Sequence, residues 1–240
     1  MGLAIVQTSH DSTAQADIHM QQALDPAKSQ ADLDGASLNN LANLAFQKKN
    51  YVQAESLYKK AVTASEQSAG PNDPGLATAL ANLGNLYRDC PQFNISKAEP
   101  LLKRALAIRE SVLGPEHPET AKTLSDLSLL YSYEKKPAEA AEFAQRSLPL
   151  EEKTFGADSL EVSSTLNRLG IALRDEGKLT DAEANLKRAL AIREAKQAPQ
   201  RWIVISLANL ASVYELEGQE AKASPLIKRA RVLEAQFPQQ

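Results

Sequence analysis

The sequence has little of the chemistry on which disulfide-bonded, metal-binding or membrane proteins depend. Among its 240 residues are one cysteine, Cys90, one tryptophan and three histidines. A single cysteine excludes an internal disulfide. No apolar run approaches the roughly 18 residues that a membrane-spanning helix needs, so we expect no membrane insertion. The first apolar stretch, residues 3–6, is too short for a complete signal peptide, which favours a cytoplasmic location but leaves a trimmed periplasmic or secreted form open.

The sequence also lacks a large excess of charge of either sign. The 27 basic and 30 acidic residues give a net charge of −3 without a long block of either kind, so no nucleic-acid partner is predicted. The sequence contains no glycine-rich phosphate loop and no serine nucleophile elbow. The histidines do not cluster with other metal ligands. We therefore predict neither enzyme activity nor a cofactor or metal, and we interpret Cys90 as a surface cysteine near a turn.

What the sequence does contain is an internal repeat. Five similar segments begin with leucine at intervals of 41 to 44 residues, and each is followed by a second segment that begins with alanine. All have apolar residues at i, i+3, i+4 and i+7, the period of a helix, so each repeat is predicted to be two amphipathic helices. The first segments begin at Leu38, Leu80, Leu124, Leu166 and Leu207, and the second at Ala54, Ala98, Ala140, Ala182 and Ala223.

Residues between the predicted helices fit turns. Gly177 and Gly218 stand where a first helix should end in a left-handed residue. A Ser or Thr followed three residues later by Glu predicts a capping box at the start of a second helix. The sequence has two such pairs, Ser96 with Glu99 and Thr180 with Glu183.

Small residues recur at three positions of the repeat. A larger side chain there would push the axes of two crossing helices apart, so we interpret these positions as the contact between the two helices of a repeat. In the first helix the position holds Ala42, Gly84, Ser128, Gly170 and Ala211; in the second helix the two positions hold Ala54, Ala98, Ala140, Ala182 and Ala223, and Ala61, Ala105, Ser147, Ala189 and Ala230.

These segments resemble tetratricopeptide repeats, in the long form found in kinesin light chains. The common repeat is about 34 residues long, whereas this one is about 42, and the segment ALAIRESVLGPEHPETA at residues 105–121 is close to the long-repeat signature. The resemblance implies an all-α fold, a right-handed α-α superhelix of about five helix-turn-helix repeats. The array is expected over residues 37–237, with repeats at about 37–73, 74–117, 118–158, 159–200 and 201–237. Residues 1–36 match poorly, and a capping helix is predicted over residues 12–26.

The resemblance also implies that the first helices line a concave groove. Asparagine recurs there, and an amide can hydrogen-bond the backbone of an extended peptide whatever its sequence. The alternative is that these asparagines only bond a neighbouring repeat or water. The predicted groove residues are Asn40, Asn43, Asn82, Asn85, Arg88, Asp126, Asn167, Arg168, Arg174 and Asn209.

Arginines among these residues favour a carboxylate ligand. Arg88, Arg168 and Arg174 could each bind a carboxylate of an acidic peptide or a chain terminus. The alternative is that nearby aspartates of the chain, Asp89, Asp126 and Asp175, neutralise them. Lysine-arginine pairs recur on the second helices, and we interpret these as a solvated outer face.

The sequence thus predicts a scaffold or adaptor that binds an extended peptide or partner protein in the groove, with an acidic peptide as a candidate. One alternative is a structural module that self-associates through the last repeat or the linker around Trp202. Another is the input domain of a larger signalling protein.

Overall fold

The computed structural model describes residues 33–236, which contain ten α-helices and no strands. The N-terminal segment with its predicted capping helix over 12–26, and the end of the array at residue 237, lie outside the described residues. The helices are α1 Gly35–Gln47, α2 Tyr51–Ala69, α3 Pro74–Asp89, α4 Ala98–Val112, α5 Pro118–Tyr133, α6 Pro137–Phe155, α7 Leu160–Asp175, α8 Leu179–Ala195, α9 Gln200–Leu216 and α10 Glu220–Glu234, with a 3₁₀ turn at Ile95–Lys97 before α4.

The chain forms two compact units, one up to Ile108 and one from Arg109 onward, and α4 runs across the boundary. In the first unit α1 packs on α2, and α3 packs against both. In the second unit α5 pairs with α6, α7 with α8, and α9 with α10, and neighbouring first helices also contact one another. The predicted all-α architecture of repeated helix pairs is confirmed.

Helix ends follow the local chemistry of the chain in part. Gly177 and Gly218 have φ angles of 79° and 70°, so the predicted left-handed ends are confirmed. The capping boxes are wrong. Helix α8 begins at Leu179 after Lys178, which makes no side-chain capping bond, so Thr180 lies inside the helix. Ser96 lies in the 3₁₀ turn, where Asn94 accepts a hydrogen bond from its backbone N–H.

The small residues lie where the two helices of a repeat cross. Ala42, Ala54 and Ala61 are fully buried, as are their counterparts throughout most of the described chain. A Cβ added to Gly170 would lie 2.5 Å from Cγ of Leu186, on the partner helix of the same repeat. The side chain of Leu186 thus occupies the space that the glycine leaves, which is the close crossing that the sequence predicts.

Cys90 differs from its prediction as a surface residue. It follows α3 as the C-cap, and only 3% of its surface is exposed. Burial, with a smaller contribution from the charge of Asp89, raises the pKa of its thiol. Both effects disfavour the thiolate, which is the form of cysteine that acts as a nucleophile.

Candidate functional site

In the first unit the predicted asparagines bond one another across repeats. Asn82 on α3 donates from Nδ2 to Oδ1 of Asn39 on α1 at 2.9 Å and to Oδ1 of Asn43 at 3.4 Å. The hydroxyl of Tyr58 on α2 donates to the same Asn43 oxygen at 2.6 Å, and burial raises the pKa of Tyr58 to about 12. Asn40 lies one residue from this network and is exposed.

Arg88 makes its contacts close by in α3. Its Nε and one terminal nitrogen donate to the two carboxylate oxygens of Asp89 at 2.7 and 2.9 Å, and the other terminal nitrogen donates to Oδ1 of Asn85 at 2.8 Å. Only 6% of the Arg88 side chain is exposed. A ligand carboxylate would have to compete with Asp89 for this guanidinium.

The second unit repeats the cross-repeat bond of the first. Asn209 on α9 donates from Nδ2 to Oδ1 of Asn167 on α7 at 3.1 Å, at the same repeat positions as Asn82 and Asn39. Arg168 takes the asparagine's place on α7 and donates to the hydroxyls of Ser125 and Thr165. Four of the predicted asparagines and Arg168 therefore join neighbouring first helices, and any contact with a peptide adds to that role; the four are Asn43, Asn82, Asn167 and Asn209.

Arg174, at the end of α7, is also occupied within the chain. It donates from Nε to Oδ1 of Asp175 at 2.9 Å and from NH1 to the hydroxyl of Ser212 on α9 at 2.8 Å. Because its side chain is 21% exposed, it remains partly open to solvent. The three predicted arginines thus all have partners in the chain, two of them aspartates that follow the arginine directly.

Two of the predicted residues, Asp126 and Arg168, line one pocket of about 490 Å³. We call it the Glu151 pocket, after the most buried carboxylate in its wall. It is formed by the first helices α5 and α7 and by the C-terminal end of α6. Its lining consists of Pro118, Glu119, Lys122, Ser125, Asp126, Glu151, Thr154, Phe155, Glu161, Ser164, Thr165 and Arg168.

Sequence reasoning missed a buried position of the second helices that holds charged residues. Arg109 on α4 and Arg193 on α8 are 2% and 5% exposed, although arginine is seldom buried. Burial lowers the pKa of Arg193 to about 10, with the charge of Arg168 as a second cause, so the group stays charged at neutral pH. Glu151 on α6 occupies the same repeat position. Aligning the repeats would have shown these charges among apolar neighbours.

The lysine-arginine pairs of the outer face also form ion pairs between second helices. In the second unit, the arginine of such a pair reaches a glutamate of the preceding second helix, as Arg188 does to Glu152 at 2.6 Å and Arg229 to Glu194 at 2.5 Å. Arg146, which follows a glutamine at the same repeat position, reaches Glu110 in the same way at 2.5 Å. These side chains are exposed by a third to a half, so each pair contributes little stability.

Within residues 33–236, no group of histidine, cysteine, aspartate and glutamate side chains is arranged to hold a metal ion. No helix of this range has the length and apolar character to cross a bilayer.

Pairs of helices crossing at small residues, stacked so that first helices contact first helices, define the class of helical-repeat proteins. The tetratricopeptide repeat family matches residues 34–89, 90–153 and 161–231. The chain belongs to this family.

Solved structures share the fold at low sequence identity. BtubC (BKLC) from P. vanneervenii matches with a TM-score of 0.75 and 24% identity, covering 95% of this chain and 92% of that one. A putative kinesin light chain from Podosopora anserina, with nearly identical TPR-like repeats, gives 0.69 and 21%, with 85% and 96% covered. YrrB, described as a TPR protein with an unusual peptide-binding site, gives 0.62 and 19%, with 92% and 95% covered. A search of curated protein sequences finds no match.

Proposed function

We propose that the chain is a protein-interaction scaffold that binds an extended segment of a partner protein along the first helices of its repeats. The family supports a scaffold rather than an enzyme. The observation that carries the proposal is the repeated cross-repeat hydrogen bond, Asn82 to Asn39 and Asn209 to Asn167. It fixes polar side chains of first helices in one orientation, and this lowers the entropy cost of binding a peptide backbone.

The amides have capacity beyond these bonds. A side-chain amide offers two donors and an acceptor with two lone pairs. The cross-repeat bonds use the amide nitrogens of Asn82 and Asn209 as donors and leave the amide oxygens of both side chains as acceptors. Both side chains are half-buried, and Asn40 is exposed. Such groups can bond the backbone of a peptide in a sequence-independent way, while the pockets beside them select particular side chains.

An acidic partner would have to compete with aspartates of the chain for the groove arginines. A ligand carboxylate at Arg88 or Arg174 must displace Asp89 or Asp175, and the more exposed of the two ion pairs, Arg174 with Asp175, is the weaker and exchanges more readily. An acidic partner is therefore a prediction for the partly exposed Arg174 more than for the buried Arg88. Comparing acidic, basic and neutral peptides tests it directly.

The test is a binding screen of the purified chain against acetylated decapeptides that include acidic, basic and free C-terminal-carboxylate members. Dissociation constants are then measured by fluorescence anisotropy for the wild type, Asn40→Ala and Asn209→Ala. The control is Gln145→Ala, an exposed residue of the second helix α6. We expect micromolar binding that weakens at least fivefold in the asparagine variants and is unchanged in the control. Binding that ignores both asparagines, or no binding by any peptide, would rule out this surface.

Self-association is a second candidate, because large apolar side chains are exposed on the last two described helices. Ile205, Leu216 and Val232 are exposed by 48%, 63% and 53%. Sedimentation velocity at rising concentration tests this function. A mass that doubles in the wild type and stays constant in Val232→Glu would favour it, and a constant monomer mass in both would exclude it.

A further inference from the structure

The buried charged position of the second helices holds an arginine, then a glutamate, then an arginine. Arg109, Glu151 and Arg193 follow one another at intervals of 42 residues. Each lies near the end of its helix, is at least 95% buried and is next to the first helix that follows. We call this the junction position, and all three of its residues belong to the second compact unit.

Arg109 shows which groups bind an arginine at the junction position. One terminal nitrogen donates to the hydroxyl of Thr123 at 2.6 Å and to the backbone oxygen of Glu119 at 3.1 Å. The other terminal nitrogen lies 2.7 Å from Oε2 of Glu119. A planar guanidinium is thus held by a carboxylate, a carbonyl and a hydroxyl of helix α5.

Arg193 satisfies its guanidinium in a related way. It donates to the hydroxyl of Ser206 at 2.7 Å and to the backbone oxygen of Trp202 at 2.9 Å, both on α9. Its Nε donates to the hydroxyl of Ser163 at 3.3 Å. In both arginine repeats the buried guanidinium donates to several hydrogen-bond acceptors of the neighbouring helices.

Glu151 leaves the same position with an unmatched charge. Its Oε1 accepts a hydrogen bond from Ser147 at 2.6 Å, while Oε2 is buried without a hydrogen-bond partner in the described chain. The following helix nevertheless keeps the residues that hold an arginine, because Glu161 and Thr165 lie 42 residues after Glu119 and Thr123. Thr165 already accepts a hydrogen bond from Arg168, whereas Oε2 of Glu151 has no donor and Glu161 keeps the repeat position of Glu119.

The space for it is also present. Glu151, Glu161 and Thr165 all line the Glu151 pocket of about 490 Å³, which is large enough for a long side chain. Two cations share the lining, Lys122 and Arg168, and Arg168 already donates to two hydroxyls. Four carboxylates line the same pocket, so its negative groups outnumber its positive ones by two.

We propose that the Glu151 pocket binds an arginine side chain of a partner protein, whose guanidinium pairs with Glu151 and Glu161 as Arg109 pairs with Glu119. This inference rests on the proposed function, because it takes the partner to be a protein segment, and it adds a basic anchor residue to that segment. Burying a carboxylate without a donor is costly, and a bound guanidinium removes that cost. Arginine suits the site better than lysine because its planar group serves several acceptors at once.

The experiment compares two libraries of acetylated, amidated decapeptides. One has arginine fixed at the centre with randomised flanks, and the other has citrulline there, which has nearly the same shape but no charge. Enriched peptides are measured by fluorescence anisotropy against the wild type, Glu151→Gln and the control Glu142→Gln. Glu142 is an exposed residue of the same helix, so the control makes the same charge change.

We expect wild type and Glu142→Gln to prefer arginine over citrulline by at least tenfold, and Glu151→Gln to show a preference of less than about twofold. Peptides that bind with equal affinity in all three proteins would overturn the inference while leaving the scaffold function standing. Binding by no peptide would overturn both.

A second variant tests the pocket without a ligand. Glu151→Arg restores the residue found at the other junction positions, and we expect it to raise the melting temperature by a few degrees and to abolish binding of the arginine peptides. The same change at the exposed Glu142 should alter neither. A lower melting temperature for Glu151→Arg would show that the pocket does not accept a guanidinium, which overturns the inference.

Discussion

The junctions after α6 and after α8 hold opposite charges at the same repeat position. Arg193 is buried against hydroxyl and carbonyl acceptors of α7 and α9, whereas Glu151 is buried with one oxygen bonded to Ser147 and the other unpartnered. The repeat fold tolerates both. The junction position therefore accepts either charge, because the two helices of each repeat are held together at another place, the crossing formed by the small residues.

The part that does not vary is the crossing of the two helices within a repeat. Around helix α7 this crossing places Gly170 against Leu186, with Ala182 and Ala189 fully buried on α8. These contacts are apolar and tightly packed, so they contribute through burial and dispersion rather than through charge.

The largest expected effect comes from breaking the shared crossing. Gly170→Val places a branched side chain 2.5 Å from Cγ of Leu186, so α7 must move away from α8. We expect a loss of about 3 kcal/mol in the free energy of unfolding, the upper range for an overpacked core. Urea denaturation followed by circular dichroism measures it. Ala208→Val, at an exposed site of the first helix α9, is the control and should cost under about 1 kcal/mol.

The next largest effect comes from removing the junction arginine. Arg193→Met keeps the length of the side chain but leaves Ser163, Ser206 and the Trp202 carbonyl without their donor. We expect a loss of about 2 kcal/mol in the free energy of unfolding. Because the Arg193 guanidinium lies 5.8 Å from the centre of the Trp202 ring, the fluorescence of this single tryptophan should also shift. The exposed Arg201→Met should show neither change, and an unaltered stability of Arg193→Met would contradict the prediction.

The corresponding change at the other junction should have the opposite sign. Glu151→Met removes a buried carboxylate of which only one oxygen is bonded, and Ser147 keeps its second contact, to the Ala121 carbonyl at 3.3 Å. We expect a gain of about 1 kcal/mol, because an apolar side chain avoids the cost of burying the charge. The same urea titration measures it. If Glu151→Met destabilised the protein as much as Arg193→Met, the two junctions would not differ energetically.

The smallest effect concerns the exposed ion pairs of the second helices. Arg188 lies five residues before Arg193 in α8 and pairs with Glu152 on α6, but 39% of its side chain is exposed. Arg188→Met should cost about 0.5 kcal/mol or less, and the difference from wild type should vanish in 1 M NaCl. The loss caused by Arg193→Met should persist in the same salt. A salt-insensitive loss at Arg188 would remove the distinction between buried and exposed arginines.

Part of the candidate site could be predicted from the sequence. The helix period and the position of small residues identified the first helices, and with them the positions of Asn82, Asn209 and Arg168. Their mutual hydrogen bonds could not be predicted, because a side chain's partner depends on the distance between two repeats and on rotamers. The aspartates beside Arg88 and Arg174 were visible as alternatives, and only the geometry shows them bonded to those arginines.

Predictions made from adjacent residues were wrong where contacts with residues distant in the chain determine the structure. The pattern at Thr180 and Glu183 satisfies the capping rule, yet α8 begins at Leu179 and its N-cap is Lys178, two residues before Thr180. Glu183 instead accepts a hydrogen bond from the hydroxyl of Tyr214 on α9. Cys90 follows a helix in a polar segment but is buried by the surrounding fold.

By itself the sequence determined the helical repeat, since apolar periodicity and small residues at fixed spacing leave one way for two helices to pack closely. It also determined the order of charges at the junction position, arginine, glutamate, arginine. Only the tertiary structure decided that these charges are buried and that the glutamate faces a pocket formed by residues far apart in the chain. Burial depends on which helices pack together, and the contribution of a buried charge to stability depends on the groups that surround it in the folded protein.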